Sequence, residues 1–86
     1  MFGVIKRDGE KSEFNLAKIS DAIMKAFNAT EVQYNKDIVD LLSLRVTADF
    51  QSKVQDGYVH VEDIQDSVEK ILEQSGYVET AKAFIL

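Results

Sequence analysis

At 86 residues, with 45% apolar and 29% charged positions, no Pro and no Cys, the chain reads as one domain spanning residues 1–86, without disulfides, a zinc ribbon or thiol chemistry. Its formal net charge of −5 is unevenly spread: four basic and three acidic groups up to residue 18 give +1, and six against twelve in the remainder give −6. That acidic body argues against nucleic acid as the main partner, but not against one small phosphate ligand held at a basic spot. No apolar run approaches the ~18 residues of a membrane span and no signal-peptide pattern opens the chain, so the expected location is the cytoplasm, with no membrane partner.

In chain order, Phe2 to Lys6 reads as a short β run and Asp8-Gly9 as a hairpin turn. Lys11 to Phe14 is the return strand, with Ser12 and Phe14 on one face. Asn15 is placed to cap a first helix, whose apolar stripe is Leu16, Ile19, Ile23, Ala26 and Phe27, ending at Asn28-Ala29-Thr30. Asn35 caps a second helix, with Ile38, Leu41, Leu42, Val46, Phe50 and Val54 as a long stripe ending near Asp56-Gly57. Arg45, Asp49 and Lys53, at spacings of four, are expected on its solvated face.

Tyr58 to Val61 is long enough for one edge strand beside the hairpin. Ile64, Val68, Ile71 and Leu72 then mark a third helix, with Glu62 and Asp63 complementing the dipole in its first turn and Ser75-Gly76 stopping it. Tyr77 to Leu86 reads as a fourth helix, with Val78, Ala81, Phe84 and Ile85 on its apolar side. The ending on Ile85-Leu86, without a polar closing turn, predicts a domain cut from a longer protein. The expected fold is α+β: a four-helix bundle capped by a small three-stranded antiparallel β-sheet.

The candidate chemistry lies near the N-terminus. Lys6, Arg7 and Lys18 are expected close to the start of the first helix, where free N–H groups and added cations would suit a phosphate-bearing ligand. The competing reading of Lys6 and Arg7 is two solvated charges beside a hairpin. Lys18 falls in the first helical turn, where the dipole disfavours a cation; a bound phosphate would offset that cost, and so would a side chain bent out to water. His60 reads as an exposed edge-strand or cap residue. There is no Gly-rich phosphate loop of the Gly-x-x-x-x-Gly-Lys-Ser/Thr kind and no placed acid–base pair, so a nucleotide hydrolase lacks support. A helical protein–protein interaction module without a ligand is a further reading.

Val4-Ile5-Lys6-Arg7-Asp8-Gly9, Phe14-Asn15-x-x-Lys18-Ile19, Val61-Glu62-Asp63-Ile64-Gln65-x-x-Val68-Glu69-x-x-Leu72 and Ala81 to Leu86 together resemble the ATP-cone family over essentially the whole chain. The resemblance implies the allosteric activity domain of a ribonucleotide reductase, most like the anaerobic class. A transcriptional repressor of the same pathway is the alternative, though the start at Met1 without a cysteine-rich ribbon looks like the reductase. It implies ATP or dATP as ligand, with Mg²⁺ carried on the phosphates, and as partners the remainder of a parent reductase and its subunits, with oligomerisation that depends on nucleotide. Reductase chemistry needs cysteines and a radical, so a chain without Cys is expected to be the regulatory part and not an enzyme.

By the same resemblance, Lys6 and Arg7 form a phosphate-binding pair with Lys18 nearby, and Asn15 lies at the nucleotide while also capping. Val4, Phe14 and Ile19 are candidates for the adenine face, although each alone also reads as core. Gln65 stands where some members carry a His near the sugar or base, and an exposed helix residue is the plainer reading of it.

Overall fold

The computed structural model describes residues 2–84. Four helices and three short strands follow in the order β1 (Gly3–Ile5), β2 (Lys11–Glu13), α1 (Leu16–Ala29), α2 (Lys36–Asp49), a 3₁₀ turn (Phe50–Lys53), β3 (Tyr58–His60), α3 (Val61–Gln74) and α4 (Val78–Phe84). Each helix packs against two others, α1 on α2, α2 on α3, α3 on α4 and α4 back on α1, which closes a four-helix bundle. Ile23, Phe27, Leu42, Val46, Phe50 and Leu72 lie at its centre, all at 1% exposure or less. No helix of the described residues is long and apolar enough to cross a membrane.

The caps form as the sequence predicts. The Asn15 carboxamide accepts from the Ala17 N–H at 3.0 Å to start α1, and Asn35 accepts from the Ile38 N–H at 2.9 Å to start α2. Each satisfies a backbone donor that the first helical turn leaves without a partner.

The sheet departs from expectation. Its order is β2-β1-β3, with β1 antiparallel to β2 but parallel to β3, so it is mixed and not antiparallel. The reason is the entry into β3. Asp56 and Gly57 both have positive φ, 53° and 81°, and Gln55 and Tyr58 exchange two backbone hydrogen bonds across them. This two-residue hairpin reverses the chain just before β3 and sends it alongside β1 in the same direction. Val61, expected in the strand, begins α3 instead.

α2 also sits differently. It ends at Asp49 and tightens into the 3₁₀ turn, and its inward face is Val39, Leu42, Ser43, Val46 and Phe50. Leu41, predicted inward, is 52% exposed, and Leu44 is 58% exposed. The inward Ser43 is fully buried, with its hydroxyl donating to the Val39 carbonyl and 2.9 Å from the Ser20 hydroxyl. Arg45, Asp49 and Lys53 are not a free solvated face. Arg45 donates to Ser75, Asp49 takes Lys70 at 2.9 Å and Ser67 at 2.7 Å, and Lys53 lies 3.6 Å from Asp63, so the three stitch this segment to α3 and the turn that follows it. The Lys70 ammonium, and after it the Ser67 hydroxyl, hold the Asp49 carboxyl below the usual carboxylate range.

In α4 the predicted inward Val78 is 49% exposed, whereas Thr80 and Ala81 are buried and Phe84 is half-buried. The Thr80 hydroxyl meets that of Thr30 at 3.0 Å, tying α4 to the end of α1. Ile85 and Leu86, expected to extend this helix, lie outside the described residues.

Candidate functional site

Lys6 and Arg7 owe their position to the two partners of β1. On one side the chain turns back into β2. The Lys6 N–H donates to the Glu10 carbonyl at 2.7 Å, the Gly9 N–H donates to the Lys6 carbonyl at 2.9 Å, and the Asp8 carboxylate accepts from the Glu10 N–H at 2.9 Å. Gly9 takes a φ of 87°, which a side chain would strain. Arg7 therefore stands at the tip of a fixed turn. On the other side, the parallel register sets Ile5 against His60. Both strands leave the sheet at the same end, so Lys6 and Arg7 emerge where α3 begins.

That helix start suits an anion. His60 at the N-cap makes no side-chain capping hydrogen bond, which leaves the first N–H groups of α3 without a side-chain acceptor from the cap. Arg7 reaches across to it. One Nη of its guanidinium donates to Oε1 of Gln65 at 2.7 Å, and Nε lies 3.5 Å from a carboxylate oxygen of Glu62. With its oxygen held by Arg7, Gln65 keeps its amide NH₂ as a donor. Two predicted site residues, 58 positions apart in the sequence, are thus in direct contact.

The remaining predicted residues lie toward the other end of the sheet or beneath it. Phe14 follows β2 at the Gly3 end, where its N–H donates to the Phe2 carbonyl. Its ring lies 4.5 Å from that of Phe2 and 5.8 Å from that of Phe50, centroid to centroid, in a three-ring cluster. Asn15 caps α1 from this end, and Lys18, exposed, occupies the first turn with its N–H donating to the Asn15 carbonyl. The expected grouping of three cations at one helix start is therefore divided: Lys6 and Arg7 adjoin α3, whereas Lys18 belongs to α1. Val4 is half-buried on the inner face of β1, paired with Ser12 and Val59, and packs on the core. Ile19 is 5% exposed and is itself part of that core.

Sequence reasoning missed Glu62 as a neighbour of Arg7 and the start of α3 as the helix end beside the basic pair. Both follow from parallel pairing with β3, which local residue patterns do not encode. A surface groove of about 650 Å³ around Gly3, Lys11, Glu13 and Tyr58 holds none of the predicted residues. It lies on the outer face of the sheet, where the Lys11 ammonium sits 4.4 Å from the centre of the Tyr58 ring.

Comparison with known proteins identifies the family. A family model described as the ATP cone domain matches residues 2–86. The ribonucleoside-diphosphate reductase subunit alpha of Chlamydia pneumoniae is 40% identical over 94 residues, covering 100% of this chain and 9% of the relative. The corresponding subunit of Chlamydia muridarum is 36% identical over 91 residues, covering 96% of the chain and 9% of the relative. The anaerobic ribonucleoside-triphosphate reductase of Haemophilus influenzae is 36% identical over 84 residues, covering 98% of the chain and 12% of the relative. The chain thus spans about a tenth of the length of the curated relatives it matches.

Proposed function

The chain belongs to the ATP-cone family, and from that premise we propose that it is a non-catalytic sensor of ATP and dATP that sets the overall activity of a ribonucleotide reductase. One observation carries the proposal. The parallel register of β1 with β3 brings the Lys6–Arg7 turn to the side-chain-uncapped start of α3, and there Arg7 is bonded to Gln65.

In this reading the phosphates, with Mg²⁺ carried on them, lie between Lys6, Arg7 and the α3 start. Backbone donors, dipole and cations all favour negative charge there. The nucleoside extends along the sheet toward the start of α1. Gln65 and Asn15 supply polar contacts to sugar or base, Val4, Phe14 and Ile19 supply the apolar wall, and Lys18 adds charge at the far end. Strands of three residues rise about 10 Å in total, a span that a nucleoside triphosphate bridges. Ile19 is 5% exposed and part of the core, so adenine reaches it only if the packing around it opens. Binding then changes the seating of the sheet on the bundle, and the parent reductase reads that change.

The test is calorimetric titration of the 86-residue chain with ATP and with dATP in the presence of Mg²⁺, beside a Lys6→Ala/Arg7→Ala variant. Micromolar binding by the wild type is expected. At least about tenfold loss is expected in the variant, since hydrogen bonds to charged groups contribute roughly 1.5–3 kcal/mol each. A folded wild-type chain that binds neither nucleotide would overturn the proposal.

A further inference from the structure

A carboxylate at the mouth of a polyanion site requires explanation. Glu62 lies in the first turn of α3, with a carboxylate oxygen 3.5 Å from Nε of Arg7, while Gln65 takes one Nη at 2.7 Å. The guanidinium is therefore engaged by α3 on two of its nitrogens. Glu62 also occupies the helix position that an incoming anion would seek, since the first turn of a helix attracts negative charge. A phosphate and this carboxylate cannot both lie against the same guanidinium without strong like-charge repulsion.

We propose that Glu62 is an internal competitor: a built-in anion that holds Arg7 when no nucleotide is bound and gives it up to the nucleotide's phosphates. This rests on the nucleotide-sensor reading above and adds its regulation. Binding becomes an exchange of one anion for another on Arg7. The affinity is held below what Lys6, Arg7 and the helix start would give alone. The exchange also frees the Glu62 side chain at the surface of α3, so that nucleotide occupancy alters a helix that packs on both α2 and α4. The side chains of Arg7 and Glu62 are 63% and 54% exposed, so the competition is modest. An exposed pair of this kind corresponds to a change in affinity of about two- to fivefold.

The experiment is titration with ATP, in Mg²⁺ and again in chelator, of the wild type, Glu62→Gln, Asp66→Asn, Arg7→Gln and the Arg7→Gln/Glu62→Gln double variant. Circular dichroism would confirm that each is folded. Asp66 is exposed on the same helix and removes the same charge without touching Arg7. Glu62→Gln is expected to tighten binding about two- to fivefold in both conditions. Asp66→Asn should do less, and the gain should vanish when Arg7 is already Gln. Wild-type binding with no gain from Glu62→Gln, or an equal gain in the Arg7→Gln background, would overturn the competitor role while leaving the sensor intact. Weakening by Glu62→Gln in Mg²⁺ alone would reassign Glu62 as a ligand to the nucleotide's metal. Absence of wild-type binding would overturn both readings.

Discussion

Single side chains decide how closely the sheet can be built. Gly3 has an ordinary backbone conformation; what it lacks is room. A Cβ placed there would lie 2.7 Å from Cε1 of Tyr58 and 2.9 Å from the carbonyl oxygen of Ser12. The first neighbour is a ring that can swing, but the second is the backbone of the paired strand, which cannot move without loosening β1 from β2. Gly3→Ala is accordingly expected to destabilise the fold by about 1–3 kcal/mol, as overpacked sites do. Urea unfolding measures this, and an unchanged midpoint would show that the strand pair yields freely. The exchange of roles between Leu41 and Val39 is also a matter of single residues. Ser43 lies in the core, where Ser20 and the Val39 carbonyl satisfy its hydroxyl. Once Ser43 points inward, Leu41 must point out.

Among the elements, α2 and α3 are joined by charge as well as by apolar packing. Asp49 is the centre of that joint, held by Lys70 and Ser67. Its pKa is lowered in the fold, so its contribution to stability is fully present above the unfolded carboxylate value of about 3.9 and is lost as pH falls through the depressed folded value. The acid limb of the stability profile should therefore flatten in Asp49→Asn. Denaturant midpoints of both proteins between neutral pH and about pH 3 measure this, and parallel profiles would show that Asp49 is not the titrating group.

The helices themselves were largely legible in the sequence. Asn15, Asn35 and Ser75-Gly76 mark their ends by local chemistry, and the stripes of α1 and α3 keep a helical period. The interlocking of Arg45, Asp49 and Lys53 with α3 was not legible, because an alternating-charge row looks the same whether it faces water or a neighbouring helix. The direction of β3 was not legible either. The residues of a three-residue strand do not specify its sense of pairing, and the direction here was decided by the hairpin at Asp56-Gly57. The candidate site shares that history: Lys6, Arg7 and Asn15 could be read locally, but the helix that receives Arg7 could not.

For the molecule as a whole, a ligand that binds only the folded chain adds stability by mass action, about 2.7 kcal/mol at a hundredfold excess over its Kd. Saturating ATP should therefore raise the melting temperature. It should also slow amide exchange selectively in residues 2–27 and at the start of α3, because those segments meet at the proposed site. Exchange measured by mass spectrometry with and without ATP distinguishes this from a uniform effect, and unchanged protection in residues 2–27 would refute the coupling of sheet and first helix.

The strand at the centre of the sheet is also the first to be synthesised. β1 can fold onto β2 as soon as the hairpin is made, but its other edge waits for β3, which follows two helices and a tight turn. The contact between Arg7 and Gln65 spans 58 residues, and closing so long a loop costs entropy that earlier, more local helix contacts must offset. The pairing that completes the sheet must therefore wait for β3, and a chain still short of residue 60 cannot set Arg7 against Gln65.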